Sequence, residues 1–358
     1  GGAKKNTFNQ ASMEMYRDFV DDSMFIVRYC TFTGKAAQVL RSKGLPAVTI
    51  HSLIYSPQVN PQTDEVTFNL KSRTELGDVD LIVVDEASMV NETMREELLS
   101  FGIPIIFVGD PGQLGPIATE GNTSNIMDQA DVFMTTITRQ AEDSPIITLA
   151  TLARTGKHIP LKIFSSEVAV FPASKMSPAG LLKADQILCG RNETRKMINE
   201  RCRESLGFTS RFPQPGDKLI CTKNNFDIGH INGLIGVCNE ITVPDDFLFS
   251  GEMKLSFSAP DDNIHTNTTA FAGNFYEAAG EERFKFSKKG LRDMEFFEFG
   301  YAITVHKSQG SSYTYPVVIE EPLGTFDDRK RWMYTAITRA SQKLIILRGN
   351  PGDIWKNK

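Results

Sequence analysis

The chain has 358 residues, of which 41% are hydrophobic and 23% are charged, and its formal net charge is −5. This composition is ordinary for a globular protein of two or three domains; it excludes a chain-wide basic surface but not a local basic groove for nucleic acid. No apolar run approaches the roughly 20 residues that a membrane helix requires, so we expect a cytoplasmic, intracellular protein without a membrane partner. The five cysteines form no Cys-x-x-Cys pair, and we interpret them as reduced thiols rather than as disulfides or a zinc site.

The first residues predict an amphipathic helix followed by a short strand. Apolar side chains recur at helical spacing from Phe8 to Phe19. Gln10, near the start of this helix, can read the edge of an adenine through its amide, although a lone glutamine more often faces solvent. Phe25–Val27 then predicts the first strand.

A phosphate-binding loop of the pattern G-x-x-x-x-G-K-[ST] is missing from the sequence. Gly34 and Lys35 come nearest to it, but Tyr29 stands where the first glycine belongs and Ala36 stands where the Mg²⁺-binding hydroxyl belongs. The pair at positions 156–157 fails in the same way. Taken literally, the chain lacks this loop.

Two carboxylates follow a strongly apolar strand in the next part of the chain. Leu81–Val84 is a β-branched run typical of a strand buried on both faces in a parallel sheet. Asp85 and Glu86 come directly after it, where open α/β sheets place their ligands. In a nucleotide-hydrolysing site the first would hold Mg²⁺ and the second would orient the attacking water; the alternative is a solvated acidic turn.

A second strand, predicted over Ile103–Val108, also ends in polar residues. Asp110 and Gln113 lie in the Gly- and Pro-rich segment that follows, and they could sense a γ-phosphate or its attacking water. The alternative is a turn with incidental polar side chains. Arg139 precedes a predicted helix that begins near Pro145, and an arginine in that place can reach a phosphate.

Two segments of different composition interrupt the α/β pattern. Residues 56–74 are rich in polar and turn-forming residues and predict a small hairpin. Residues 214–296 consist of short alternating segments with an Asn232-Gly233 turn, and they predict an all-β insert. Helices are predicted over Glu92–Leu99 and Arg331–Ala340, the second ending in Arg339.

Taken in order, several stretches resemble the motifs of superfamily-1 DNA helicases of the RecD-like and Dda-like group. The matching stretches cover motifs Ia, Ib, II, III, IV, V and VI, in family order: Thr31–Ala37, Ile50–Leu53, Asp85–Ser88, Gly109–Pro116, Arg139-Gln140, Thr304–Gly310 and Tyr334–Ala340. Each motif is weak by itself, but their order and spacing are specific.

The resemblance implies an α/β fold of two RecA-like parallel-sheet motor domains. Residues 1–144 would form the first, with a strand-separating pin at 56–74. Residues 145–213 and 297–358 would form the second, with an SH3-like insert at 214–296.

The resemblance also implies ATP-dependent DNA helicase activity, 5′ to 3′, with ATP and Mg²⁺ as cofactors and roles in DNA replication, recombination or repair. Its partners would be single-stranded DNA or a single-strand/duplex junction, together with replication or recombination proteins. The implied catalytic residues are Asp85 on Mg²⁺, Glu86 on the water, Gln113 near the γ-phosphate, and the arginines Arg139 and Arg339. The implied ATP-binding residues are Gln10, Asp110 and Gly310. The implied DNA-binding residues are Thr33, Gly34, Lys35, His51, Ser52, Thr304, His306 and Lys307.

Some of these residues keep ordinary structural alternatives. His51 and His306 could be satisfied structural histidines, and Arg339 could be a surface cation at a helix end.

The missing phosphate loop leaves two explanations open. The chain may lack it altogether, in which case ATP hydrolysis should fail and a non-hydrolysing DNA- or partner-binding relative remains. Alternatively, residues between Val27 and Thr31 were dropped and the numbering was closed over them, which we favour. The second explanation predicts a break there, with consecutive Cα atoms much further apart than about 3.8 Å.

Overall fold

The computed structural model describes residues 25–60, 66–116, 126–134, 144–245, 247–277 and 291–356. Gln10, Arg139 and the helix expected near Phe8 lie outside these residues. Within the described part, no helix is both long and apolar enough to span a bilayer.

The described chain alternates strands and helices at first, changes to strands alone, and then alternates again. The strands are β1 (Val27–Thr31), β2 (Ala47–Thr49), β3 (Tyr55–Val59), β4 (Val66–Leu70), β5 (Leu81–Asp85), β6 (Ile105–Val108), β7 (Lys162–Ile163), β8 (Val168–Pro172), β9 (Gln186–Cys189), β10 (Lys218–Cys221), β11 (Ile235–Thr242), β12 (Glu252–Ala259), β13 (Ile264–Phe271), β14 (Phe297–Phe299), β15 (Ala302–Thr304), β16 (Pro316–Ile319) and β17 (Leu344–Arg348). The helices are α1 (Gly34–Arg41), α2 (Ile50–Ile54), α3 (Glu92–Leu99), α4 (Pro145–Arg154), α5 (Pro178–Leu181), α6 (Asn192–Ser205), α7 (Phe247–Ser250), α8 (Gly273–Glu277) and α9 (Phe326–Ile337).

The first sheet has four parallel strands in the order β2-β1-β5-β6. Every residue of β5 is buried, as its apolar run predicts. The first strand is Val27–Thr31 rather than the predicted Phe25–Val27, because the buried residues begin at Tyr29 and pair with the middle of β5.

The pairing of β1 shows whether the chain is broken between Val27 and Thr31. All five residues of β1 pair in register with β5, from Val27 opposite Leu81 to Thr31 opposite Asp85. The expectation of a break there is therefore wrong. Strand β1 leads into α1, and together they contain the stretch Thr31–Ala37 that resembles motif Ia.

A two-stranded antiparallel ribbon, β3 and β4, projects from the first sheet where the sequence predicts a hairpin. Antiparallel partners share a face, and pairs such as Pro57–Phe68 and Val59–Val66 give one apolar face. Phe68 is 61% exposed on this face.

The second parallel unit is a six-stranded sheet in the order β15-β9-β16-β17-β8-β7, antiparallel only at the β7 edge. Helices α4 and α9 pack on it, and Trp332 is the largest fully buried side chain there. Two parallel sheets in one chain confirm the predicted architecture.

The predicted β insert is a five-stranded antiparallel sheet in the order β13-β12-β11-β10-β14. Its last strand, Phe297–Phe299, pairs with β10, so the sheet includes residues that the sequence assigned to the second motor domain. An SH3-like topology for this sheet stays a prediction.

The insert is attached to the second unit through a buried ion pair. The Arg203 guanidinium on α6 donates to both oxygens of Asp217 at 3.0 to 3.2 Å, just before β10. Tyr301, just after β14, donates its hydroxyl to Asp217 at 3.0 Å. The entering and leaving chains of the insert are therefore joined at one carboxylate.

Candidate nucleotide and DNA site

The carboxylates Asp85 and Glu86 lie at the carboxyl end of β5, as the sequence predicts. They are 4% and 8% exposed, which excludes the alternative of a solvated acidic turn. Glu86 adopts the left-handed region, with φ 56° and ψ 38°. This backbone conformation is uncommon outside glycine, and such strain concentrates at functional sites.

The segment after β6 lies beside these carboxylates. Asp85 pairs with Val108, and a Cβ atom on Gly109 would stand 3.0 Å from the backbone nitrogen of Ser88, so the two loops approach each other closely at Gly109. Asp110 then caps its own loop, because its Oδ1 accepts the Gly112 N–H at 2.9 Å.

Arg339 reaches this loop from the second unit. Helix α9 ends at Ile337, so Arg339 lies just beyond the helix and is 3% exposed, contrary to the alternative of a surface cation at a helix end. Its Nη2 donates to Oε1 of Gln113 at 3.1 Å. Its Nε and Nη1 donate to the backbone oxygens of Thr335 and Ser311, which fixes the orientation of the guanidinium.

Three further side chains that the sequence did not assign hold the same interface together. Thr335 Oγ1 accepts the backbone N–H of Leu114 at 2.8 Å and donates to the backbone carbonyl oxygen of Arg331 at 2.8 Å. The Tyr334 hydroxyl donates to Asp110 Oδ2 at 2.7 Å, and Gln309 Nε2 donates to the Leu114 carbonyl at 3.1 Å.

The chemistry of these contacts suits a stable interface. Burial, with the nearby Asp110 carboxylate, raises the pKa of Tyr334, so the hydroxyl remains a donor. Tyr334 and Gln309 lie within the predicted motifs VI and V, but only the fold brings them against motif III.

Gly310, predicted to bind ATP, lies against the start of α1. Its φ is +80°, and a Cβ atom would be 3.0 Å from Ala36 Cβ and 3.1 Å from Thr33 Oγ1. Glycine is therefore required here both by backbone conformation and by the close approach of motif V to motif Ia.

The predicted DNA contacts of motif Ia lie at the amino end of α1. Thr33 is the N-cap, and its side chain accepts the Ala36 N–H at 3.2 Å. Gly34 packs against the insert, where a Cβ atom would be 3.2 Å from Asn224 Oδ1 and 3.4 Å from Ile231. Lys35 bonds to Asp262 of the insert at 3.0 Å.

The motif Ib residues stand at an open surface. His51 and Ser52 are exposed on α2, and the His51 ring lies 5.2 Å from the ring of Tyr55. An exposed ring beside a second ring is suited to stacking, which favours a binding role over a satisfied structural histidine.

The predicted DNA contacts of motif V, Thr304, His306 and Lys307, are half-buried at the end of β15 and just after it. The N–H of Lys307 bonds to Thr304 Oγ1 at 3.3 Å, and Lys307 Nζ pairs with Glu298 at 3.1 Å. Burial raises the pKa of Glu298, but Lys307 and Arg195 outweigh it and hold that pKa below its ordinary value. Burial lowers the pKa of the His306 imidazole, which favours a neutral ring.

Among the described residues, the site has groups suited to Mg²⁺ and to the terminal phosphate of a nucleotide but lacks groups for the inner phosphates. Mg²⁺ is bound through one or two carboxylates together with phosphate oxygens, and Asp85 supplies a carboxylate in the expected place. Gln113 and Arg339 present an amide and a cation suited to a terminal phosphate. The described residues offer no glycine-rich loop with a following lysine and hydroxyl for the inner phosphates.

All five cysteines are buried free thiols. Cys221 lies with His230 and Glu295 in a group whose ligand atoms are within 4.8 Å of one another. Both ring nitrogens of His230 are already within hydrogen-bond distance of side chains, at 2.8 Å from Glu295 and 2.9 Å from Thr266. The contacts therefore describe a hydrogen-bonded core network.

Comparison with known proteins finds similar sequences among helicases. The model described as an AAA domain covers residues 5–167, and the model of the UvrD-like helicase C-terminal domain covers residues 299–347. An ATP-dependent RecD2 DNA helicase from Deinococcus radiodurans is 26% identical over 377 residues, which cover 96% of this chain. Over nearly its whole length the chain is therefore similar to a RecD-like helicase. It spans only 45% of that RecD2 relative.

Solved structures of Pif1 helicases share the fold of this chain. One, from work on DNA unwinding at forked dsDNA by two coordinating Pif1 helicases, has a TM-score of 0.55 and 17% identity and covers 90% of this chain and 82% of that one. The other, a Bacteroides Pif1 bound to ssDNA, has a TM-score of 0.52 and 17% identity and covers 93% and 85%.

Proposed function

We propose that the chain is the motor core of an ATP-dependent DNA helicase that moves 5′ to 3′ along single-stranded DNA. The contact that carries this proposal is the bond from Arg339 to Gln113, because it places a buried cation from one parallel sheet against the carboxyl edge of the other. The RecD2 relative and the Pif1 structure bound to ssDNA support the same substrate.

The two sides of this interface divide the chemistry of hydrolysis. Asp85 would hold Mg²⁺, which supplies charge neutralisation at the phosphates, and the Glu86 carboxylate would accept the proton of the attacking water. Gln113 would orient that water or the terminal phosphate, and Arg339 would neutralise charge in the transition state. An arginine so placed is worth about 10³ to 10⁵ in rate. Arg139 would be a second such arginine, and Gln10 would read the adenine.

The same interface would couple hydrolysis to movement. Asp110 on one unit bonds to Tyr334 on the other, and Leu114 bonds to Thr335. Loss of the terminal phosphate would therefore alter contacts of both units. Gly310 connects this interface to the start of α1. Relative motion of the two units would then shift the DNA-contacting motifs against each other.

The DNA path would run over the residues of motifs Ia, Ib and V. Thr33, Lys35, Ser52, Thr304 and Lys307 would contact phosphates, and His51 and His306 would contact bases or the backbone. Such contacts tolerate any sequence and weaken with salt. The β3–β4 ribbon, with its exposed apolar face, would serve as the pin where the strands part.

The domain division and the biological setting belong to this proposal. The first motor domain would end near residue 144, and the insert would run from about residue 214 to Phe299, with an SH3-like fold. Replication, recombination or repair proteins would be partners of the whole protein, and the cytoplasm would be its compartment.

A second function is favoured by the missing phosphate loop. Tyr29 and Ala36 replace the glycine and the hydroxyl in the one segment that resembles it, and β1 is continuous there. A chain with this sequence could bind single-stranded DNA or a protein partner without hydrolysing ATP.

One assay separates the two functions. ATP turnover of the full chain is measured with and without oligodeoxythymidine, alongside binding of the same oligonucleotide. If the chain is a hydrolase, Glu86→Gln lowers DNA-stimulated turnover by about 10² to 10⁴, whereas the exposed Glu96→Gln on α3 leaves it unchanged.

The other outcomes are equally decisive. DNA binding without turnover would assign the non-hydrolysing function. Absence of both would overturn the proposal for this chain, and turnover that survives Glu86→Gln would remove Glu86 from its role.

A further inference from the structure

A single carboxylate of the β insert holds the helix that is proposed to lie on DNA. Lys35 Nζ donates to both oxygens of Asp262 at 3.0 and 3.1 Å, and Gln38 Nε2 donates to Asp262 Oδ1 at 2.8 Å. The Lys35 and Asp262 side chains are only 24% and 16% exposed. The contact joins residues 227 positions apart and so depends entirely on how the insert is placed.

Asp262 is positioned by the end of a long hairpin. The turn Pro260–Asp262 connects β12 and β13, and Asn263 follows in the left-handed region with φ 55°. A second loop of the insert also contacts α1, because Asn224 and Ile231 lie close to Gly34. The insert therefore covers the amino end of α1 at two points.

The chemistry of this contact is that of a bound phosphate. An aspartate carboxylate, like a backbone phosphate, presents anionic oxygens to a lysine, which binds either of them as a compact point charge. Gln38 completes the cradle with a neutral donor.

We propose that Asp262 is a latch that occupies the phosphate position of single-stranded DNA on Lys35 and Gln38, and that DNA must displace it in order to bind. This inference rests on the proposed function, in which α1 contacts single-stranded DNA. Single-stranded DNA could then bind only after the β12–β13 turn moves away from α1.

The latch is tested by binding of a fluorescein-labelled oligodeoxythymidine of about 16 nucleotides, followed by fluorescence anisotropy at low salt. Asp262→Asn removes the competing charge and keeps the size of the side chain. Because partly exposed ion pairs are weak, the affinity should rise by about two- to fivefold.

The chain offers a matched control in the neighbouring Asp261, which is exposed on the same turn. Asp261→Asn makes the same change of net charge without touching Lys35, so it reports the general electrostatic effect alone. Lys35→Ala should weaken binding, and adding Asp262→Asn to Lys35→Ala should give no more gain than Asp261→Asn gives. Circular dichroism and unfolding midpoints of each variant confirm that the fold is kept.

The outcomes separate this inference from the proposed function. If the wild-type chain binds and Asp262→Asn changes nothing, weakens binding, or acts no more strongly than Asp261→Asn, the latch is wrong. If neither the wild-type chain nor Asp262→Asn binds the oligonucleotide, the proposed DNA-binding function fails first, and the latch fails with it.

Discussion

Buried polar side chains at the carboxyl edge of the first sheet show how single residues define this site. Glu86 takes a backbone conformation that is uncommon for its residue type, and Arg339 is buried with each of its three guanidinium nitrogens bonded to an oxygen. An arginine held in this way loses little further freedom when it meets a phosphate, which is the advantage of a preorganised site.

The Thr335 hydroxyl provides a test at this scale. Thr335→Val keeps the shape but leaves the buried N–H of Leu114 without its acceptor, so the free energy of unfolding should fall by about 1–3 kcal/mol. Thermal unfolding monitored by circular dichroism measures the loss. Thr148→Val, on the exposed side of α4, is the control and should change stability little. Equal effects of the two substitutions would contradict a special role for the Leu114 contact.

Elements were predicted well where one local signal dominates. Helix α3 has the predicted bounds Glu92–Leu99, and the hairpin and the buried strand before Asp85 occur where expected. Helix α9 begins earlier than predicted, at Phe326, because Thr325 and Asp328 form a capping box that the sequence contains and that was missed. The sequence misplaces β1 because Phe25–Val27 is more apolar than the residues that follow it, and only pairing with β5 selects Val27–Thr31.

The ion pair between Arg203 and Asp217, which attaches the insert to the second unit, can be tested by mutation. Asp217→Asn should leave the Arg203 cation buried without its partner, and breaking a buried pair in this way costs about 3–5 kcal/mol. Limited proteolysis should then cut the insert at lower protease concentration, and the unfolding midpoint should fall. Asp227→Asn, on an exposed turn of the same insert, is the matched control. Unchanged protease resistance in Asp217→Asn would show that the pair does not hold the insert in place.

At the scale of the whole molecule, the insert and the two parallel units meet around α1 and the loop after β6. The contacts from Arg339 to Gln113 and from Lys35 to Asp262 each join residues more than 220 positions apart. With a net charge of −5, the proposed DNA binding would have to use a local groove, in which each of a few cations contributes appreciably to the affinity.

The salt dependence of DNA binding tests this groove. Each phosphate neutralised on single-stranded DNA contributes about −0.7 to the slope of log affinity against log salt. Lys35→Ala and Lys307→Ala should each make the slope shallower by about 0.7. Lys175→Ala, an exposed lysine elsewhere, should leave it unchanged. Identical slopes in all the variants would show that neither lysine contacts a phosphate.

The sequence by itself determined the α/β pattern, the two carboxylates after a buried strand, the order of the motifs and the missing phosphate loop. These are local properties, since apolar runs, turn residues and motif spacing are written in adjacent positions. Only the tertiary structure decided that Arg339 bonds to Gln113 and that Lys35 bonds to Asp262. It also decided that Tyr334 and Thr335 bond to the loop after β6. Hydrogen bonds between residues more than 200 positions apart depend on how whole sheets are placed, and no periodicity or spacing in the chain encodes that placement directly.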